Sequence, residues 1–319
     1  MQLSSQVNTF GRHMQAKYGH RVHKLALNAS FTCPNRDGAK GVGGCTFCNN
    51  TSFSPNAKQP PSIASQIEAG RRVIRKRTGA RHYLAYFQAY TNTYAAIEYL
   101  QQLYDDALAE PDVIGLSVGT RPDCVPDPVL DLLAEYQAAG HEVWLELGLQ
   151  SANDATLARV NRGHGWAEYA DAIRRARLRG LQVCTHLIVG LPGESAWDSV
   201  ASFERVLELG AGSSATQGLK LHPLHIVKGT QLARQFKAGL YAGVPFDDYV
   251  EACLEIIRRS PPELVYHRLT GTADPAILLS PGWCAKKWRV LNAIASGLSL
   301  GDWHRQGPRR ANPLRLRAV

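Results

Sequence analysis

Six short apolar runs recur at intervals along the first two-thirds of the chain: His23–Phe31, His82–Tyr90, Asp112–Thr120, Glu142–Gln150, Gln182–Gly190 and Gly218–Ile226. Longer amphipathic stretches lie between them, at Ser62–Lys76, Thr93–Ala109, Pro128–Ala139, Trp166–Arg179 and Ala196–Leu209. Short buried runs alternating with helical periods predict βα units on a parallel sheet. Pro128 at the front of one helix and Gly140 just past its end fit the proline-first, glycine-last asymmetry of helices. Six such units make three-quarters of a (βα)8 barrel. The expected fold is therefore α/β, a partial (βα)6 TIM-like barrel with a C-terminal extension.

The barrel rhythm accounts for residues 1–230. The segment GAGSSATQG (Gly210–Gly218) reads as a loop insertion within it. From Gln231 the rhythm gives way to a helix at Phe246–Ser260, then to PPELVYHRLTGTADPAILLSPGWCAKKW and a basic tail, so 231–319 is expected to be an extension.

Composition narrows the setting. No apolar run approaches the roughly 18 residues of a membrane span, and the first twenty residues hold no apolar stretch of the signal-peptide kind. A cytoplasmic location with reduced thiols is expected, and no membrane partner. In that compartment seven cysteines, an odd number, argue for metal binding or ordinary burial, not a disulfide framework. Cys124, Cys184 and Cys253 stand singly among apolar residues and read as core. The net charge of +9 is clustered: Gly70–Arg81 carries six Arg and Lys, and the tail carries Arg305, Arg309, Arg310, Arg315 and Arg317. Such clusters suit a polyanion such as RNA, or equally a solvated helix face and a frayed end.

Ligands of parallel α/β folds bind at the carboxyl ends of the strands. There the sequence places Cys33, QAYTNT, GTRPDC, GLQS, GLPGE and HPLHI, one polar or glycine-containing cluster per strand. Six such clusters describe one shared site. Within it, Cys33, Cys45 and Cys48 form a C-x11-C-x2-C set with a glycine-rich spacer. A structural zinc site closes with four ligands and a disulfide uses two. Three thiolates fit a four-iron cubane that leaves one iron open to a small molecule.

A three-cysteine loop after the first strand of a partial barrel resembles the radical S-adenosylmethionine (radical SAM) superfamily, whose common spacing is C-x3-C-x2-C. GTRPDC, LELGLQSANDATLARVNRGH (Leu145–His164) and HLIVGLPGE (His186–Glu194) look like the radical SAM domain of Elongator's catalytic subunit, and the latter two also like coproporphyrinogen dehydrogenase. CPNRDGAKGVGGCTFCN, YLAYFQAYTNT, KLHPLHIVKGT and WCAKKW resemble the YhcC-like group, a likeness running over roughly residues 1–290. The resemblance implies a [4Fe-4S] cluster on Cys33, Cys45 and Cys48, with SAM chelated to the fourth iron. An electron from a reductant such as flavodoxin or ferredoxin then cleaves SAM to a 5′-deoxyadenosyl radical that takes hydrogen from substrate. By position, Phe47 lies beside adenine, and Gln88 and Thr91 stand where the superfamily's Gly-Gly-Glu motif receives the SAM amino group. Glu146, Gln150 and Arg162 match polar positions of the fourth-strand run, with Arg162 facing the SAM carboxylate. His186 falls near the ribose, and Val189 and Gly190 pack against adenine. Glu146 is also read as interior on strand alternation, where a carboxylate without a cationic partner is costly.

His222 and His225 are candidates for substrate contact, or satisfied barrel histidines. Cys284 is a candidate hydrogen donor, or packing beside tryptophan. Three functions fit these residues: a radical SAM enzyme modifying a tRNA base, with wobble-uridine chemistry suggested by the Elongator likeness; a radical SAM enzyme on a small molecule or peptide; or a zinc-bound RNA-binding protein completing its site with His20 or His23.

Overall fold

The computed structural model describes residues 3–49, 61–210 and 215–299. The basic tail and most of GAGSSATQG lie outside the described residues.

Six strands form on the six apolar runs: β1 (Val22–Leu27), β2 (His82–Phe87), β3 (Val113–Thr120), β4 (Glu142–Gln150), β5 (Gln182–Val189) and β6 (Gly218–Pro223). β1 stops short of the expected Phe31 because Gln66 captures the backbone of Asn28, accepting from its N–H at 2.9 Å and donating to its carbonyl at 2.8 Å. Two helices precede β1, α1 (Leu3–Gln6) and α2 (Phe10–Tyr18). The crossovers are α3 (Ile63–Thr78), α4 (Ile97–Leu108), α5 (Asp127–Ala138), α6 (Asp154–Arg159), α7 (Trp166–Leu178) and α8 (Ala196–Glu208). Local sequence sets their ends: Ser62 caps α3, and Ser195 with Asp198 forms a capping box on α8.

Beyond β6 lie β7 (Ile226–Val227), α9 (Gln231–Lys237), α10 (Phe246–Arg259), β8 (Val265–Arg268), β9 (Leu278–Ser280) and α11 (Lys287–Ser299). β7 and β9 form a small antiparallel ribbon. β8 joins the main sheet, which thus has seven parallel strands, one more than the apolar runs reveal, in the order β1-β2-β3-β4-β5-β6-β8. This is a partial TIM-like barrel with its open edge between β8 and β1.

Alternation divides each strand. Leu145, Leu147 and Leu149 of β4 face the helices and belong to the main apolar core. Glu146, Gly148 and Gln150 face the interior and line a cavity. The N-terminal segment closes the floor beneath: Phe10 packs 4.7 Å from His267 and Trp144 4.2 Å from His267, ring centre to ring centre. α2 is fixed there by buried Glu142, which accepts from Lys17 at 2.5 Å, Tyr18 at 2.6 Å and Trp144 at 2.7 Å.

Above the floor sits one fully buried carboxylate, Glu146. It accepts from Lys24 of β1 at 2.5 Å, Ser117 of β3 at 2.5 Å, and Lys220 of β6. His186 of β5 stands 2.7 Å from it. His267 of β8 bonds Lys24 at 2.8 Å, and Lys220 donates to Tyr86 of β2 at 2.8 Å. Every strand of the sheet contributes one side chain to this layer. Burial alone would raise the Glu146 carboxyl, but the Lys220 and Lys24 charges and the two histidines hold it well below its ordinary value. The carboxylate therefore has cationic partners, and its interior placement is accounted for by ion pairing.

Glu146→Gln leaves two buried ammoniums without a counter-charge, so the substitution should destabilise the chain by about 3–5 kcal/mol. Urea unfolding followed by circular dichroism measures this; an unshifted midpoint would contradict the pairing.

Candidate active site

The carboxyl ends of the strands surround a cavity of about 280 Å³. Its lining includes Cys33, Cys45, Cys48 and Phe47 from the first loop, Gln88 and Thr91 after β2, Glu146 and Gln150 of β4, and His186, His222 and His225 from the β5 and β6 side. Arg162 also lines it. Residues scattered over 193 positions of sequence thus meet around one space.

The eleven-residue spacer owes its length to a hairpin. Gly44 N–H donates to the Asn35 carbonyl at 2.8 Å, Gly38 N–H to Gly41 at 3.2 Å, and Asp37 pairs with Val42 as an antiparallel bridge. Gly38, Gly43 and Gly44 take φ of +95°, +84° and +78°, the left-handed region that favours glycine. Residues 36–43 are the hairpin, so only Pro34, Asn35 and Gly44 remain on the direct path from Cys33 to Cys45. Stripped of its hairpin, the loop has the C-x3-C-x2-C spacing.

The NRGH run holds this loop in place. Thr46 N–H donates to the Val160 carbonyl at 3.0 Å, Asn161 donates to Gly44 at 2.9 Å, and Asn35 donates to the Asn161 carbonyl. Gly163 must be glycine: a Cβ there would meet Asn35 Oδ1 at 2.6 Å, and its φ is +73°. Each sulfur then has its own guanidinium. Arg121 Nη1 lies 4.0 Å from Cys33 Sγ and Arg162 Nη1 3.6 Å from Cys45 Sγ. Arg36 donates to the Cys48 carbonyl at 3.0 Å, and its charge opposes the burial that raises the Cys48 thiol. Arg121 is itself fixed by a two-pronged bond to Asp123, both at 2.9 Å, and by the Arg162 carbonyl at 2.7 Å. Burial would raise Asp123, but Arg121 brings it down to about 2. Asn35, Arg36, Arg121 and Asp123 are positions that the sequence reading does not single out, although GTRPDC and the spacer contain them.

The remaining candidates divide by geometry. Thr91 is 1% exposed and its hydroxyl, on the cavity wall, has no hydrogen-bond partner among the described residues. Arg162 is already engaged, donating to Gly148 O at 2.6 Å and lying 2.9 Å from His164, which leaves its guanidinium less free for a carboxylate than its position suggests. A Cβ at Gly148 would strike that guanidinium at 2.7 Å. Val189 and Gly190 do not line the cavity; Ile188 does. Alternation is the reason: Val189 faces the helix side and joins the main core, while the Gly190 carbonyl accepts from Tyr241. Cys284 is buried in a 3-10 turn after Pro281, outside the cavity lining, with burial pushing its thiol up to about 12. That placement removes its candidacy as a hydrogen donor. Cys124, Cys184 and Cys253 are buried, as expected of core thiols.

The basic run on α3 does not border the cavity. α3 ends at Thr78, where Arg21 donates to its carbonyl at 2.7 Å, at the amino edge where β1 and β2 begin. Arg71 is paired with Glu68, Glu110 and Asp112, and Arg75, Lys76 and Arg77 sit in the last turn, where cations complement the helix dipole.

The donor set tests what the cysteines hold. Three sulfurs each about 2.3 Å from one tetrahedral zinc would lie about 3.8 Å apart; Cys33, Cys45 and Cys48 do not all come within 4.8 Å of one another. His20 and His23 cannot complete a zinc site, because His20 stacks on His82 at the opposite edge of the sheet and His23 is near the start of β1. Three separated thiolates suit a multi-iron cluster, one thiolate per iron. Glu146, Cys184 and His186 do converge, but Lys24 and Lys220 occupy that carboxylate.

A partial parallel barrel with three cluster-spaced thiolates at its carboxyl face defines the radical SAM class of enzyme. The superfamily's sequence profile matches residues 31–206, and that of the Radical_SAM C-terminal domain matches residues 216–299. Protein YhcC of Escherichia coli K12 is 51% identical over 288 residues, covering 90% of this chain and 91% of its own. A tRNA uridine(34) acetyltransferase of Dehalococcoides mccartyi is 30% identical over 174 residues, 54% of this chain and 36% of that protein. The archaeal Methanocaldococcus infernus Elp3 structure aligns at a TM-score of 0.63 with 18% identity, over 88% of this chain and 63% of that one, a likeness of fold. The chain belongs to the radical SAM superfamily and, within it, to the YhcC family. Enzymes of this superfamily use a [4Fe-4S] cluster and SAM. The thiolate arc fits the cluster, and the orphaned Thr91 hydroxyl fits a polar ligand beside it.

Replacing any one of Cys33, Cys45 or Cys48 by alanine should abolish the brown colour of anaerobically reconstituted protein; a cluster content unchanged in all three would refute the ligand set. A second expectation concerns pH. Burial holds His186 and His225 down to about 4, and His222 and His267 well below their ordinary value. As pH falls below about 6.5 the unfolded chain takes up protons at these four positions that the native chain does not, so stability present above that pH is lost toward the folded values. Scanning fluorimetry should show the melting temperature falling between pH 7 and pH 5; a flat profile would count against buried neutral imidazoles.

Proposed function

We propose that this chain is a radical SAM enzyme that modifies a tRNA base, acting on the side chain of a wobble uridine. The observation that carries this reading is the 30% identity with a tRNA uridine(34) acetyltransferase over more than half of the chain. The cavity supports it electrostatically. Of the arginines that line it among the described residues, Arg36, Arg121 and Arg162 stand against the cysteines, and Arg268 at the rim has no acidic partner. An unpaired guanidinium at the mouth of a barrel suits an anionic substrate.

On this reading the protein's work is to hold and to exclude. Arg36, Arg121 and Arg162 fix the thiolates, Phe47 and Thr91 border the SAM side, and the Phe10–Trp144–His267 floor keeps water from entering below. SAM supplies the hydrogen-abstracting radical when bound, and a one-electron donor of the flavodoxin or ferredoxin kind supplies the electron. His186, His222 and His225, kept neutral by burial, act as uncharged hydrogen-bonding groups on the substrate side.

Nucleoside analysis of tRNA from a strain lacking the gene tests the reading. One modified uridine at the first anticodon position should disappear and return on complementation, and Cys48→Ala should fail to restore it. An unchanged modification profile would overturn the proposal.

A further inference from the structure

Of the four arginines in the cavity, three are engaged. Arg36, Arg121 and Arg162 bond backbone carbonyls and stand against the three cysteines. Arg268 differs from them. It is the last residue of the edge strand β8, exposed at the cavity rim, and among the described residues its side chain has no hydrogen bond and no ion pair. Glu146 cannot serve as its counter-ion, being held by Lys24, Lys220 and Ser117. A guanidinium with no side-chain partner among the described residues, near a carboxylate already shared by two lysines, is a charge left open for a ligand.

Its neighbours are built to receive one. The loop after β8 brings Gly271 and Thr272 into the lining. Gly271 lies so close to two imidazoles that a Cβ would meet His222 Nδ1 at 2.8 Å and His225 Cε1 at 3.3 Å. Only glycine lets this backbone pass there. The thiolates gather above the ends of β3 and β4, where Arg121 and Arg162 hold them, whereas Arg268 stands at the β6–β8 side. A group bound at Arg268 would lie on the side of the lining away from the arginines that stand against the cysteines, which fits a substrate group.

We propose that Arg268, with the Gly271–Thr272 backbone and His222, forms a phosphate subsite at the cavity rim that holds the phosphodiester next to the nucleotide whose base enters. The planar guanidinium fork matches two phosphate oxygens at once. This inference rests on the RNA reading above.

The test uses anaerobically reconstituted protein with SAM and measures binding of uridine 5′-monophosphate, uridine, inorganic phosphate and malonate by calorimetry. Wild-type protein should bind the monophosphate about tenfold to a hundredfold more tightly than uridine, the worth of a charge-assisted hydrogen bond or two. R268Q should erase that difference, and R268K should retain part of it. Cluster content and SAM binding of R268Q report that the variant is folded. Equal binding of the monophosphate by R268Q and wild type would overturn the subsite, as would malonate competing better than phosphate, which would mark a carboxylate site. Loss of the subsite with a changed tRNA profile in the deletion strain would leave the RNA reading standing; a phosphate subsite with an unchanged profile would remove RNA and leave a phosphorylated small molecule.

Discussion

Burying one ionised carboxylate in the middle of an unfinished barrel is unfavourable by several kcal/mol unless cations and donors reach it, and here they reach it from every strand. Lys24 and Lys220 are 122 and 74 positions from Glu146 in sequence, yet both contact the same carboxylate. The link from His267 to Lys24 crosses the open edge between β8 and β1. A seven-stranded sheet with a gap is thereby tied across that gap by side chains, and a backbone bond from Tyr266 N–H to the Asn8 carbonyl holds the N-terminal segment against β8. Tyr86, Glu146 and His186 of the same layer line the cavity, so what closes the barrel also forms the polar bottom of the site.

The cysteine loop follows the same electrostatic logic one level higher. Thiolates brought together repel, and each meets a guanidinium supplied by a different part of the chain: Arg36 from the spacer, Arg121 from the end of β3, Arg162 from the NRGH run. Guanidiniums remain charged at any working pH. Hydrogen bonds and charges at cluster sulfurs are among the levers that set reduction potential, so with a cluster on these cysteines the three arginines would act on electron transfer as well as on loop geometry. Asp123 keeps one of them oriented, and Lys40 of the hairpin pairs with Asp123 at 2.7 Å.

Much of this was legible in the linear pattern. Six strands and their crossover helices follow from alternation of apolar runs and helical periods, and the strand-end rule collects the cysteines, Gln88, Thr91, Gln150 and the histidines at one face. β8 escaped because VYHR is four residues long, follows Pro-Pro, and carries two polar positions that read as loop. Val189 was misplaced relative to its neighbour Ile188 because the family pattern names a segment, while facing is decided by a period of two within it. Glu146 was legible as interior from alternation on β4. Its partners were not, since ion pairs between strands far apart in sequence leave no local signature. Arg268 was invisible for the same reason as β8: without the strand, nothing brings the residue to the rim.

The spacer between Cys33 and Cys45 shows how an irregular motif can preserve a regular geometry. Ligand spacing constrains the path of the backbone between sulfurs, not the number of residues, and any excess can leave and return at a closed base. The bond from Gly44 to Asn35 is that base, with Pro34, Asn35 and Gly44 spanning the distance three residues normally span. The excursion also delivers function, because its first residue is Arg36 and its tip carries Lys40, one against Cys48 and the other on Asp123. An insertion tolerated only as slack would be free to vary in conformation. This one is pinned at both its base and its tip by the residues that stand against the cysteines, which makes the hairpin a structural part of the three-cysteine site.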